Sequence, residues 1–230
     1  MAFFSSTEPP FRTKQDALDF QDLWGAWSLE FRLGQQTLFA ARYTRVDQVF
    51  LLWGLLSISL FAIGQLLPLS WSTQAVAGSV LTVLGTIGMS ALTIFWAKVE
   101  SLAWLIHLWV ALMLLGVLLT DYGIWCGSSL ILMHLCPLWL GLSAIGYLIT
   151  GSGLRSRAFL IIAGIHLGSI CLLPLMATWQ FLGTGIVIGG SLLLLAQVQW
   201  DMNSESDYLL LSEAQKTFNQ QQLKLRQGNQ

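Results

Sequence analysis

The 230-residue chain has little charge of either sign. Lysine and arginine number 11 and aspartate and glutamate 12, which together make up 10% of the sequence. An average soluble domain carries roughly a quarter charged residues, so this composition does not suit a surface that faces water. The net charge of −1 leaves no basic excess for a phosphate backbone, and we therefore expect no nucleic-acid partner.

Cysteine is also scarce, and the motifs of common enzymes are missing. The three cysteines, Cys126, Cys136 and Cys171, have no spacing that suits a metal site. The chain has no phosphate-binding GK[ST] loop, no HExxH and no GxSxG, so nothing indicates an ATP-driven pump, a metalloprotease or a hydrolase. We predict no catalytic residue, no metal site and, as the favoured reading, no enzymatic activity.

Long apolar runs dominate the chain, and hydrophobic residues make up 55% of it. A helix needs roughly 20 residues, at 1.5 Å each, to cross about 30 Å of hydrocarbon. Such runs predict an all-α polytopic membrane bundle with about six transmembrane helices. A re-entrant pair is the alternative for the last two, which are joined by a tight link. The six runs cover residues 49–69, 75–96, 101–120, 128–149, 158–175 and 181–200.

All lysines and arginines lie on one side of these six segments. They precede the first segment, occupy the second and fourth loops, and recur in the tail. Because such residues near helix ends stay on the cytoplasmic side, we expect both termini there. The predicted organisation is a cytoplasmic N-terminal segment (1–47), a six-helix domain (48–200) and a cytoplasmic polar tail (201–230). Within the tail, we expect residues 215–230 to be mobile or to form a short helix at most.

Four aromatic residues before the first span recur at helical spacing. Phe20, Trp24, Trp27 and Phe31 are separated by four, three and four positions, which would place them on one face of a helix. The opposite face is mainly acidic and so would not attract anionic lipid. We predict an amphipathic helix that lies in the membrane interface, with docking on the bundle or on a partner protein as the alternative.

Three histidines, His107, His134 and His166, fall on three different predicted helices. An imidazole within a membrane tends to face the bundle interior or a cavity. Depths counted at 1.5 Å per residue leave roughly 5 to 12 Å between any two of them, which disfavours a haem clamped between two histidines. A packing role is favoured, and a single axial ligand to haem or chlorophyll and a proton or substrate pathway are the alternatives. No cofactor is predicted outright.

A polar cluster near the end of the third span is a second candidate site. Asp121, Tyr122 and Cys126 lie close together in sequence, and His134 would join them if the third and fourth helices are neighbours. The competing interpretation is simpler, because an acid at the start of a loop usually contacts water.

Small residues at helical spacing predict faces for close helix packing or for oligomerisation. One pair, Gly164 and Gly168, flanks His166 at two residues on either side, so the glycines and the imidazole should face opposite ways and give the fifth helix neighbours on both sides. The other faces are Gly185 with Gly189, and a stripe of Gly78, Thr82, Thr86 and Ser90.

The predicted function is that of a non-enzymatic accessory, assembly or scaffolding subunit of a membrane complex. The predicted spans contain no acid or base other than histidine that would face a pathway, which argues against ion-coupled transport. A small permease for a neutral solute and a histidine-ligated haem or chlorophyll bundle are the alternatives. Expected partners are the lipid bilayer and other membrane subunits, bound through the N-terminal aromatic face or the glycine faces.

Overall fold

The computed structural model describes residues 9–33, 36–202 and 208–228. Most of the described residues are helical, and the strands are few and short. In chain order the elements are strand β1 (Phe11–Arg12), helix α1 (Phe20–Leu23), strands β2 (Trp27–Leu33) and β3 (Gln36–Tyr43), helices α2 (Arg45–Leu66), α3 (Trp71–Val99), α4 (Ala103–Trp125), α5 (Ser129–Met133), α6 (Leu135–Gly153) and α7 (Arg157–Leu172), a 3₁₀ segment (Leu173–Trp179), helix α8 (Gln180–Gln197), strand β4 (Gln199–Trp200), a 3₁₀ turn (Tyr208–Leu210) and helix α9 (Glu213–Gly228).

Five helical stretches are long and apolar enough to cross a membrane: α2, α3, α4, α6 and the continuous stretch Arg157–Gln197. The predicted all-α membrane bundle is therefore confirmed. The last stretch has 41 residues and would be roughly 60 Å long if it were straight, about twice the hydrocarbon thickness. It is instead folded back through the 3₁₀ segment, where Ala177 has a φ of 45°.

Helix α8 runs antiparallel to α2 along its whole length. At one end the backbone N–H of Leu182 donates to Oε1 of Gln65 (3.4 Å). At the other end Nε2 of Gln197 donates to the hydroxyl of Tyr43 (2.9 Å). Because α8 runs beside α2 from end to end, the 3₁₀ segment lies at the end remote from Tyr43. Among the described residues, the last candidate stretch thus consists of two helices that run in opposite directions, an arrangement that agrees with two crossings better than with a re-entrant pair.

Both terminal segments meet at one end of the bundle. Strand β1 pairs antiparallel with β4, so that Phe11 lies opposite Trp200. The last turn of α3, with Lys98, and the α6–α7 loop, with Arg155, lie at the same end. We call it the basic end, and we call the end with the α2–α3, α4–α5 and α7–α8 connections the far end.

The amphipathic helix predicted around residues 20–31 does not form. Helix α1 ends at Leu23, and residues 27–33 form β2, which pairs antiparallel with β3. Gly25 has a φ of 70°, a left-handed conformation that stops a helix and that glycine adopts at no steric cost. Beyond it the sequence alternates apolar and polar residues from Trp27 to Glu30, which is the period of a strand.

The aromatic residues of the N-terminal segment consequently do not share one helix face. Phe20 and Trp24 pack on Phe95 of α3, with ring centroids 6.5 and 4.8 Å apart. Trp27 lies on the hairpin and is 58% exposed. The side chain of Phe31 lies outside the described part of the structure.

The polar tail forms a longer helix than expected. Helix α9 has 16 residues, and its start is fixed by reciprocal hydrogen bonds between Ser212 and Gln215 (Ser212 N–H to Oε1, 2.9 Å; Gln215 N–H to Oγ, 3.4 Å). This is the S-x-x-Q capping box, a signal readable in the sequence. The expectation of a mobile tail or a short helix was wrong for this part of the chain.

Candidate functional site

A half-open cavity of about 330 Å³ lies between helices α2, α3, α4 and α6. It extends from Trp71 at the far end to Trp96 and Trp200 at the basic end. No Asp, Glu, Lys, Arg or His is among the residues that line it in the described structure. The wall includes six tryptophans, which are Trp53, Trp71, Trp96, Trp109, Trp139 and Trp200.

The cavity is bounded on one side by a closely packed interface between α2 and α8, the most extensive interface in the bundle. A Cβ atom on Gly189 would lie 2.6 Å from the carbonyl oxygen of Gly54, and one on Gly185 would lie 2.7 Å from Cβ of Phe61. No side chain larger than hydrogen fits there, so the glycines permit the close approach of the helices. The predicted packing pair Gly185 and Gly189 thus lies against α2.

The other predicted small-residue faces lie in different surroundings. Gly78 and Thr82 line the cavity. The hydroxyls of Thr86 and Ser90 donate to the carbonyl oxygens of Thr82 and Thr86, respectively (2.7 and 2.9 Å), so each is satisfied within α3. Only the first half of this stripe therefore borders open space inside the bundle.

Gly164 and Gly168 are exposed on the outside of α7. A Cβ atom on either glycine would meet no described atom within 4 Å. The expectation that α7 has neighbours on both sides was therefore wrong within this chain, because its packed side is the one that carries His166. Contact of these glycines with another subunit stays a prediction.

The three histidines are not brought together. His107 and His134 are exposed on the outside of the bundle, and His134 closes the last turn of α5 through Nδ1, 2.7 Å from the carbonyl oxygen of Leu130. Pro137 follows in the first turn of α6, where a proline is tolerated, and the chain breaks between the two helices at His134.

His166 is fully buried but does not line the cavity. Its Nδ1 lies 2.8 Å from the carbonyl oxygen of Ile162. A carbonyl only accepts, so Nδ1 carries the hydrogen and Nε2 is an acceptor. Nε2 is enclosed and has no partner among the described residues, which leaves no space beside it for a tetrapyrrole. Within the described ranges, no group of three His, Cys, Asp or Glu side chains could hold a metal ion.

Asp121 forms a contact with α3 rather than with its sequence neighbours. The hydroxyl of Ser79 donates to both carboxylate oxygens (3.0 and 2.9 Å). Tyr122 and Cys126 are exposed, and no described hydrogen bond joins them or His134 to the carboxylate. The structure therefore ties Asp121 to α3 at the far end and leaves the other three members of the predicted cluster apart.

Several polar groups in the cavity wall are paired with one another. Nε1 of Trp109 donates to the hydroxyl of Thr150 (3.1 Å), and Nε1 of Trp139 donates to the hydroxyl of Thr120 (3.2 Å). The hydroxyl of Thr93 donates to the carbonyl oxygen of Met89 (2.8 Å). These bonds hold two indoles in place and leave few polar groups free to contact a molecule in the cavity.

A polar cluster that the sequence did not indicate closes the basic end. Gln21 donates to Glu100 (2.8 Å) and accepts from Asn219 of α9 (3.1 Å). Nε1 of Trp96 donates to Asp22 (2.9 Å). Burial, with the nearby charges of Glu100 and Asp19, raises the pKa of Asp22 to about 7.

Asp201 joins the end of α8 to the start of α7 and is almost fully buried. It accepts from the backbone N–H groups of Arg157 and Ala158 (both 3.0 Å), from Nε of Arg157 (2.9 Å) and from the hydroxyl of Ser156 (2.9 Å). Burial opposes ionisation, but these hydrogen bonds together outweigh it and lower the pKa of Asp201. Because only the fold-back of α7 and α8 brings these residues together, sequence reasoning missed this site.

Comparison with protein-family models, curated proteins and solved structures finds no match to this chain. Its function is therefore argued from its own geometry. The charge-free cavity is the feature of that geometry best suited to bind a molecule.

Proposed function

We propose that this chain is a non-enzymatic accessory membrane protein that holds an elongated apolar molecule, such as an acyl or isoprenoid chain, in its central cavity. The observation that carries the proposal is the charge-free cavity of about 330 Å³ that extends from Trp71 to Trp200. An empty apolar cavity costs stability because its wall loses dispersion contacts. An apolar chain restores those contacts, whereas water finds few polar partners there.

The alternatives receive less support from the same geometry. A permease for a neutral solute needs a wettable path, but the cavity has no charged wall residue and several of its polar groups are already paired. A histidine-ligated haem or chlorophyll needs an accessible imidazole in the interior. His107 and His134 are exposed outside, and Nε2 of His166 is enclosed.

The β2–β3 hairpin supports the accessory part of the proposal. It is followed after one residue by the membrane-spanning helix α2, and it exposes Trp27 (58%) and Leu29 (52%). Exposed apolar residues beside a membrane domain suit the lipid interface or a partner subunit. We propose that the hairpin rather than a helix provides the contact surface of the N-terminal segment.

We also propose that the basic end, with both termini, faces the cytoplasm, because lysine and arginine near helix ends are retained there. Cys126 is exposed at the far end and provides a native probe. A membrane-impermeant maleimide added to intact cells should label the protein, and the double variant Cys126→Ser with Cys171→Ser, which removes both exposed cysteines, should abolish that labelling. Labelling of Cys126 only after the cells are permeabilised would reverse the orientation.

The cavity proposal is tested by purifying the full chain in mild detergent and measuring what stays bound by native mass spectrometry. We expect one apolar molecule per chain and a colourless preparation. Gly78→Phe places a ring in the cavity and should lower the occupancy. Gly164→Phe is the matched control, because that glycine faces open space outside the bundle.

Three results would contradict the proposal. The first is that the wild-type protein retains no molecule, and the second is that the two phenylalanine variants retain it equally. The third is a Soret band that is lost when a histidine is substituted, which would favour the cofactor alternative.

A further inference from the structure

Helix α6 presents one continuous face to the cavity. Trp139, Ser143, Tyr147 and Thr150 all line it, at spacings of four, four and three residues, which place them on one side of a helix. The residues at the two ends of this face are paired, since Trp139 donates to Thr120 and Thr150 accepts from Trp109. The two residues between them, Ser143 and Tyr147, differ.

No described hydrogen bond involves the hydroxyl of Ser143 or Tyr147, and neither oxygen is among the fully enclosed atoms that lack a partner, so both keep accessible surface where their residues line the cavity. Both side chains belong to the buried interior, with Ser143 4% and Tyr147 2% exposed. Buried hydroxyls are normally hydrogen-bonded, because burying one without a partner is unfavourable. Two neighbouring hydroxyls that line the same cavity therefore indicate that a molecule in the cavity supplies the partner.

The tyrosine ring is fixed by its neighbours, so the position of its hydroxyl is defined. Trp109 packs edge-on against Tyr147 with centroids 5.3 Å apart, Phe159 stacks at 6.2 Å, and the imidazole of His166 lies at 5.0 Å. A group held in this way is preorganised and loses little freedom on binding. His166, which no cavity-lining role explains, acts here as a support for the ring.

The depth of the two hydroxyls constrains the ligand. Helix α6 extends over 19 residues, and at 1.5 Å per residue Ser143 lies roughly 12 and 15 Å from its two ends and Tyr147 roughly 18 and 9 Å. A charge at that depth is costly without a partner of opposite sign. The described cavity wall holds no ionisable acid, base or histidine that could be that partner.

We propose that the hydroxyls of Ser143 and Tyr147 bind a single uncharged oxygen, a hydroxyl or carbonyl, of a neutral amphiphile whose apolar chain fills the cavity. The ligand class is that of long-chain or isoprenoid alcohols, sterols and quinones, and it excludes phospholipids and ionised fatty acids. This inference rests on the proposed function, because it requires that the cavity is occupied.

Three probes with the same chain length test the proposal: hexadecan-1-ol, hexadecane, and palmitate at a pH at which it is ionised. Each is added to the full-length protein after delipidation, and bound probe is counted by native mass spectrometry. We expect hexadecanol to bind roughly tenfold more tightly than hexadecane, as one or two net hydrogen bonds would give. Palmitate should bind no better than hexadecane.

The double variant Ser143→Ala with Tyr147→Phe should reduce hexadecanol binding to the level of hexadecane and leave hexadecane binding unchanged. Unchanged hexadecane binding also shows that the cavity is intact in this variant. The matched control is Ser169→Ala with Tyr122→Phe, which removes a serine and a tyrosine hydroxyl from residues that do not line the cavity. It should keep the preference for the alcohol.

The possible failures are distinguishable. If none of the probes binds the wild-type protein, the cavity proposal itself fails. If hexadecane binds as well as hexadecanol, or if the double variant keeps the preference for the alcohol, the cavity proposal stands and the role of the two hydroxyls is wrong. If palmitate binds as tightly as hexadecanol, the restriction to neutral ligands is wrong.

Discussion

Two consecutive residues of α2 give this helix two very different sides. Gly54 faces α8, where its carbonyl oxygen comes within 2.6 Å of the position of a Cβ on Gly189. Trp53 faces α3, where its ring atom Cζ2 would lie 3.3 Å from a Cβ on Gly85, and it also lines the cavity. On the α8 side, glycines without side chains allow the two helices to approach closely. On the α3 side, the large Trp53 ring keeps the two helices apart.

These two sides of α2 show how side-chain size sets the distance between helices in a membrane bundle. In lipid there is no hydrophobic force between apolar helices, so their separation depends on side-chain size and packing. Facing glycines bring the axes of α2 and α8 together, whereas an indole directed at Gly85 keeps α2 and α3 apart. The cavity therefore results from the positions of the glycines and of the large Trp53 side chain. No charged residue is among those that line it in the described structure.

The largest loss of stability is expected when the contact between α2 and α8 is disrupted. In Gly189→Leu the new side chain meets Ile58 and the backbone of Gly54, so α2 and α8 must separate. Overpacking at a backbone contact should cost roughly 3 kcal/mol or more. The measurement is thermal unfolding in detergent, with Gly190→Leu as the control because a Cβ there meets no described atom within 4 Å. Equal stability of the two variants would mean that the interface is not closely packed.

A smaller loss of stability is expected when the Trp53 ring between α2 and α3 is made smaller. Trp53→Phe shortens the side chain that reaches Gly85, and its Nε1 has no hydrogen-bond partner among the described residues. The loss is therefore one of packing alone, about 1 to 2 kcal/mol. Trp139→Phe has the same change in size but also removes the hydrogen bond that Nε1 donates to the hydroxyl of Thr120, so it should be the more destabilising. The reverse order in thermal unfolding would contradict the assigned role of Trp53.

The smallest expected effect is a pH dependence of the local stability around Asp22, at the basic end of the bundle. Asp22 accepts from Trp96, which lines the cavity, and burial raises its pKa from 3.8 to about 7. A raised pKa in the folded state favours the protonated form, so this contribution is complete below about pH 3.8 and is lost as the pH rises towards 7.

Hydrogen exchange measures this loss in the segments that meet around Asp22. After correction for intrinsic rates, residues 16–24 and α9 should open measurably more often at pH 8 than at pH 5.5. Exchange in α8 should not change. Asp22→Asn stays neutral and keeps an acceptor for Trp96, so it should remove the pH dependence. A dependence that persists in this variant would assign it to another group.

Most of the membrane architecture was predictable, because a run of bilayer length must be helical to satisfy its backbone in lipid. Local signals also fix helix starts: Thr44 and Asp47 form the capping box that begins α2, and Ser212 and Gln215 do the same for α9. The N-terminal prediction failed because aromatic spacing was given more weight than Gly25, whose left-handed conformation ends the helix.

The candidate site was much less predictable than the fold. The positions of His107 and His134 within predicted membrane spans suggest that they lie in the bundle interior, but both are exposed on its outside. The residues that line the cavity include Ser143 and Tyr147, which have the same sequence context as serines and tyrosines that face lipid. A single chain of apolar segments does not indicate which helix faces are turned towards each other.

The sequence by itself determined that this chain forms a bundle of membrane-spanning helices, because the length and the polarity of each run act locally. Only the tertiary structure decided the rest. Gly164 with Gly168 and Gly185 with Gly189 have the same spacing, yet the first pair faces open space and the second lies against α2. The physical reason is that an apolar or small side chain satisfies lipid, a neighbouring helix or a cavity equally well, so its environment is set by the packing of the whole bundle.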